Sequence, residues 1–163
     1  MQPITYHPIG IIHTPFKKPE GTPIQPSAAK TIKAEIEIFQ KYSDGLADLE
    51  GFSHIILLYH FHLAKQYSLQ VKPFLDDTFR GIFSTRAVRR PNPIGLSIVK
   101  LLNVEKNIIH IHHVDIIDKT PLLDIKPYVP MFDENQATKI GWLTEKIKNL
   151  EKTTDDGRFS NKQ

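Results

Sequence analysis

TIKAEIEIF, residues 31–39, sets Ile32, Ala34, Ile36 and Ile38 against Lys33, Glu35 and Glu37 in strict alternation. A period of two puts one set on each face of an extended chain, so the stretch predicts a strand with one buried and one wet face. Outward from it, HIILLYHFH at 54–62 is nearly continuous apolar sequence rich in β-branched and aromatic residues, which predicts a central strand. GLSIVKLLNV (95–104) and NIIHIHHVDII (107–117) predict two more strands, joined by a turn at Glu105–Asn107. RGIFSTR (80–86) and LLDIKPYVP (122–130) add short strands, and ITYHPIGIIH (4–13) a first strand interrupted at Pro8. Residues 42–51 read as a turn or short helix, and 14–28 as a proline-rich loop. One segment has helical spacing: Ile140, Leu143, Ile147 and Leu150 share a face behind an Asp133 cap paired with Gln136. Residues 151–163 are polar, with Phe159 as their only large apolar residue, and predict a loose tail. Short connections, six or more strands and a single C-terminal helix point to a mainly β fold over residues 1–150, a β-barrel or strongly curved sheet. No glycines stand in G-x-G spacing, which disfavours a doubly wound nucleotide-binding sheet.

The composition narrows the chemistry. Without cysteine, disulfides, thiolate–metal sites and cysteine nucleophiles are excluded. The start, MQPITYHPIG, has no charged residues followed by an apolar run, and no stretch approaches the roughly 20 apolar residues of a membrane span. A soluble, cytoplasmic protein is expected. The formal net charge is only +3, but four of the five arginines (Arg80, Arg86, Arg89, Arg90) fall within eleven residues, and no acid occurs from Thr78 to Val104. Clustered guanidinium groups without acid partners suit an anion such as phosphate or carboxylate, with nucleic acid the natural source.

Two segments carry a more specific signal, GIFSTRAVRRPNPIGLS (81–97) and DIIDKTPLLDIKPYVP (115–130). They resemble the signature blocks of the TrmO (TsaA-like) family, and HPIGIIHTPF (7–16), Gln25–Pro26 and LEGFSHIILLYHFH (49–62) agree with it. The resemblance implies a single-sheeted β-barrel acting as a homodimer. The implied reaction is methyl transfer from S-adenosylmethionine to N6 of N6-threonylcarbamoyladenosine at tRNA position 37. It implies cofactor contacts from Gln25, Pro26, Ser27, Phe61, His62, Arg86, Leu96, Asp115, Ile117, Asp118 and Thr120. Where the family commonly has a glycine, this chain has Lys119. Longer members carry a C-terminal extension implicated in tRNA recognition.

The residues themselves suit this reading. Pro91 and Pro93 fix the backbone and Gly95 frees it, giving a loop rigid enough to hold arginines around a polar ligand. Arg86, two residues after Ser84 in an expected strand, is read as a ligand or tRNA-phosphate contact, and Arg89 and Arg90 as RNA-backbone contacts. Asp118 and Thr120 equally suit the closing of a tight turn. The H-x-H pairs His60/His62 and His110/His112 lack evident further ligands, so no metal is expected. Methyl transfer to a conjugated nitrogen benefits from a general base, for which His62 and Asp115 are the candidates. A non-catalytic RNA-binding barrel, a cupin-like metal enzyme and a related methyltransferase with another acceptor stand as alternatives.

Overall fold

The computed structural model describes residues 2–24, 32–134, 137–148 and 153–159. Six antiparallel strands close on themselves in the order β1-β2-β7-β6-β3-β8: β1 Gly10–His13, β2 Lys33–Ile38, β3 His54–His60, β6 Ile94–Glu105, β7 Ile108–His112 and β8 Thr120–Pro127. A two-stranded ribbon, β4 (Gln70–Val71) with β5 (Arg80–Gly81), stands apart from the ring. Alternation does what TIKAEIEIF foretold: Ala34, Ile36 and Ile38 are buried while Lys33, Glu35 and Glu37 are exposed. Every strand of the ring contributes to one core, with Ile12, Ile36, Ile55, Leu57, Val99, Ile109, Ile111 and Leu122 fully enclosed. So narrow a barrel is filled by its own side chains, and a nucleoside-sized ligand can lie only on its wall or rim.

Tyr59 is the largest inward-facing group of β3, and β6 makes room for it. Gly95 is its cross-strand partner, and a Cβ at Gly95 would run into the Tyr59 ring. On the other side of β3 the pairing with β8 shifts register between Leu58 and Tyr59, a bulge that re-aims the chain at this point.

The C-terminal part differs from its sequence-based expectation. The α-helix is short, α1 Pro130–Asp133, and lies ahead of the apolar run at Ile140, Leu143 and Ile147. Asp133 accepts the amide of Val129, so it closes α1 instead of capping a later helix. Gly141, at φ 59, interrupts any right-handed helix, and a 3-10 turn, Gly141–Leu143, begins there. The segment is held by tertiary contacts instead: Trp142 Nε1 donates to the Ser84 carbonyl, and Lys146 pairs with buried Asp76. Lys146, with Arg80 beside it, holds the Asp76 carboxyl well below the usual range.

Nor do residues 153–159 hang free. Thr154 bridges to Pro23, the Asp155 amide bonds the Thr22 carbonyl, and the Gly21 amide bonds the Asp155 carbonyl. Phe159 is buried with Val71, Ile82 and Ala87 in a second small core. One aromatic residue in a polar stretch was enough to dock it.

Gly95→Ala should destabilise the barrel by about 1–3 kcal/mol, since the added methyl must displace a packed ring. Urea unfolding of the two proteins measures this, and an unchanged midpoint would show that the Tyr59 ring moves freely.

Candidate active site

Three polar groups on β3, β6 and the chain after β7 meet beneath the arginine loop. Tyr59 Oη lies 3.0 Å from Ser97 Oγ, which in turn donates to Asp115 Oδ1 at 2.8 Å. The charge of Arg86 acts on both Asp115 and Tyr59. Burial pushes the Asp115 carboxyl up to about 6, against the opposing pull of the Ser97 hydroxyl and Arg86. Burial, with the Asp115 charge added, likewise raises the Tyr59 phenol, so it stays protonated. The result is a carboxylate that titrates close to neutrality, wired to the core by two hydroxyls.

His62 stands beside this network, just past β3. Its Nδ1 is 3.3 Å from Thr120 Oγ1, and that hydroxyl donates to the Ile117 carbonyl at 2.7 Å. Burial, with His60 assisting, lowers the His62 pKa, so the imidazole is neutral at physiological pH. Phe61 packs edge-on against Tyr59 at 5.5 Å, and Leu96 points out of the wall, 52% exposed. Asp115, Ile117, Asp118 and Thr120 thus lie with Phe61, His62 and Arg86 at one end of the ring, with Leu96 on the adjoining outer face. Gln25, Pro26 and Ser27 lie outside the described residues.

Some residues have a different task from the one expected of them. Asp118 is buried and its carboxylate is engaged by the Thr14 amide and Lys17 Nζ. Burial works to raise it, but these partners hold it below its ordinary value. Its work is to anchor the proline-rich loop, the turn-closing role that its sequence setting also allowed. Arg86 follows a 3-10 turn, Ile82–Ser84, and is exposed on a loop, not on an extension of β5. Arg90 Nη1 donates to the carbonyls of Ile82, Thr85 and Ala87, and Arg89 Nε to that of Phe159. Both arginines expected against RNA therefore knit the loop to itself and to the C-terminal segment. That segment is what sequence reading missed: Thr22 and Gly21 on one side and Arg89 on the other tie it to the two loops that bracket the site. Its only signal was Phe159, set alone among polar residues.

Lys119 sits at φ 61, in the left-handed region that favours glycine, at the position where the resembling family commonly has one. Among the described residues no three His, Asp or Glu side chains are placed to hold a metal ion. A concavity of about 700 Å³ lies at the opposite rim, lined by Asp44, Asp48, Glu50 and Lys106 among others, and includes none of the site residues.

The pattern of the tRNA-methyltransferase O N-terminal domain matches residues 11–134. The chain belongs to the TrmO N-terminal domain family. A Pyrococcus abyssi relative, named a probable S-adenosyl-L-methionine-binding protein, is 56% identical over 156 residues, 96% of this chain and 85% of that one. The tRNA (adenine(37)-N6)-methyltransferase of Escherichia coli is 35% identical over 140 residues, 80% of this chain and 60% of that one. The crystal structure of TrmO from Pseudomonas aeruginosa superposes with a TM-score of 0.73 at 35% identity, covering 87% of this chain and 62% of that chain. The chain therefore spans less than two thirds of those two TrmO relatives.

The raised Asp115 value has a thermodynamic consequence. A carboxyl whose folded pKa of about 6 exceeds the ordinary 3.8 stabilises the fold below about 3.8, and that contribution is lost as pH rises through about 6. Asp115→Asn should therefore be more stable than the native protein at pH 7.5, by on the order of 1–3 kcal/mol, with the difference shrinking at pH 4. Thermal melts at the two pH values test this, and equal melting temperatures at pH 7.5 would remove Asp115 as a strained group.

Proposed function

We propose that this protein is an S-adenosylmethionine-dependent methyltransferase acting on N6 of an adenosine in tRNA, with N6-threonylcarbamoyladenosine at position 37 as acceptor. The observation that supports it best is the network Tyr59–Ser97–Asp115 beneath Arg86, next to Phe61, His62 and Leu96. This donor set fits the cofactor chemically: an aromatic and an aliphatic side chain for its apolar parts, a carboxylate for hydroxyl or amino groups, and a guanidinium for a carboxylate. When bound, S-adenosylmethionine supplies an electrophilic methyl group on a sulfonium.

Asp115 and His62 do the remaining proton work. The acceptor nitrogen loses a proton as it is methylated, and a base with a pKa near 6 is mostly ionised at neutral pH while still able to take that proton. Tyr59, held protonated, and Ser97 keep the Asp115 carboxylate in one orientation. Arg86, exposed on the loop after the 3-10 turn, suits the threonyl carboxylate of the acceptor or the cofactor's own.

A homodimer accompanies this reading. On the outer face of β6, Ile94, Leu96 and Ile98 are exposed in succession, at 41%, 52% and 38%, an apolar stripe that a second copy would cover. Arg86 and the Gln25–Pro26–Ser27 loop would then lie near the shared edge, so each site has walls from both chains. No helix among the described residues is long and apolar enough to cross a membrane. A tRNA acceptor is in keeping with a cytoplasmic protein.

Calorimetry should show S-adenosylmethionine and S-adenosylhomocysteine binding without added metal, and mass spectrometry of tRNA nucleosides from a deletion strain should lose the methylated base until complemented. Folded protein that binds neither compound would leave the RNA-binding barrel as the better reading. The methylation rate should rise with pH through about 6 and then level, following ionisation of Asp115. Asp115→Asn should lower the rate by about 100-fold or more and remove that rise. Light scattering should return twice the 18.7 kDa chain mass.

A further inference from the structure

Charge on the barrel's outer wall is laid out in rows. Glu35 of β2 meets His110 of β7 at 3.5 Å, and Glu37 meets His13 of β1 at 3.2 Å. There an acid faces a base, as cross-strand neighbours should. The next row breaks the rule. His54 of β3 pairs with Lys100 of β6, Lys100 with His112 of β7, and His112 with Lys33 of β2. All four side chains point outward, since Ile55, Val99, Ile111 and Ala34 next to them are buried. With strands about 4.8 Å apart, the row spans about 14 Å across four strands.

No carboxylate is paired into this row, and neither Lys33 nor Lys100 has an ion-pair partner among the described residues. His112 bears the strain. Burial first, then Lys33, His113 and Lys100, hold its pKa down, and its buried Nε2 has no hydrogen-bond partner among the described residues. Two lysine charges thus flank one histidine, with no acid between them to offset the repulsion. A wall that matches acid to base one row away and then sets four bases side by side is arranged for an anion from outside.

We propose that His54, Lys100, His112 and Lys33 form a phosphate-binding surface for the tRNA backbone, separate from the arginine loop. The inference rests on the tRNA reading above. A straight row on a convex wall suits an extended polyanion, whereas a single small anion calls for convergent donors. Two arginines of the loop are bonded to their own chain's carbonyls, so phosphate contacts must be sought elsewhere as well. Position also agrees. Lys100 lies three residues along β6 from Ser97, about 10 Å, and one outward position beyond the Ile94–Ile98 stripe that a second copy would cover, so the row borders that seam within reach of an RNA whose base is held at the site.

The test compares two double variants with the same change in charge, Lys33→Glu/Lys100→Glu in the row and Lys41→Glu/Lys106→Glu at the far rim. Binding of a full-length tRNA transcript is measured at 50 and 200 mM salt, on about the range over which phosphate contacts show. The row variant should bind at least tenfold more weakly, with a salt slope reduced by about 1.5. The rim variant should stay within about twofold of the native protein. Lys33→Gln/Lys100→Gln serves as a milder variant should the reversal disturb folding, and S-adenosylmethionine affinity should be unchanged throughout. Native protein that binds tRNA while row and rim variants weaken alike overturns the row. Native protein that binds no tRNA overturns the functional reading and the row with it.

Discussion

A tyrosine inside a six-stranded barrel must find room for its ring and a partner for its hydroxyl, and this fold is built around meeting both needs at Tyr59. The ring takes the space that a side chain at Gly95 would fill, which fixes the register of β3 against β6. The hydroxyl reaches Ser97, and Ser97 reaches Asp115, so a group in the core determines the orientation of one at the rim. The same arrangement makes Asp115 costly to ionise, because the carboxylate lies in poorly hydrated surroundings with a single guanidinium nearby. Stability and reactivity are thus set against each other at one residue, as is common where a fold holds a group for chemistry.

The rim is assembled differently from the barrel. Its loops have little regular structure, and they are held by a second apolar cluster around Phe159 and by backbone bonds to residues 153–159. Arg89, Arg90 and Asp118 belong to this scaffold: each carries a charge that the sequence offers for binding, and each spends it on the protein's own backbone or a lysine. The loop carrying Arg86 is tied to the C-terminal segment and to its own backbone by these neighbours.

The barrel was legible in the sequence because strand alternation is a local signal. Lys33–Ile38 and His54–His60 fall within their expected spans, and the turn at Glu105–Asn107 joins β6 to β7 as expected. The helix from Asp133 was not legible, since periodicity cannot reveal that Gly141 adopts a left-handed φ or that Trp142 and Lys146 find partners some 60 to 70 residues away. At the site, the second signature block holds Asp115 and Thr120, which the structure sets beside Ser97 and His62. Tyr59 and Ser97 were overlooked because each reads as an ordinary strand residue until its partner across the sheet is known. The backbone partners of Arg89 and Arg90 were hidden for the converse reason: a lack of acids in sequence does not show whether carbonyls of the fold also engage a guanidinium.

Because β1 pairs with both β2 and β8, the ring has no free edge. An open sheet can absorb an added or lost residue by letting an outer strand slide. Here a one-residue slip in Lys33–Ile38 would turn Ile36 and Ile38 to solvent and misalign β1 and β7 together. Chain length within the six strands is therefore close to invariant for any sequence that keeps this architecture. Added or lost residues fit more easily in the rim loops and the segments beyond β8, whereas the strand residues assigned to cofactor and RNA in the reading proposed here are held in register by the closed ring.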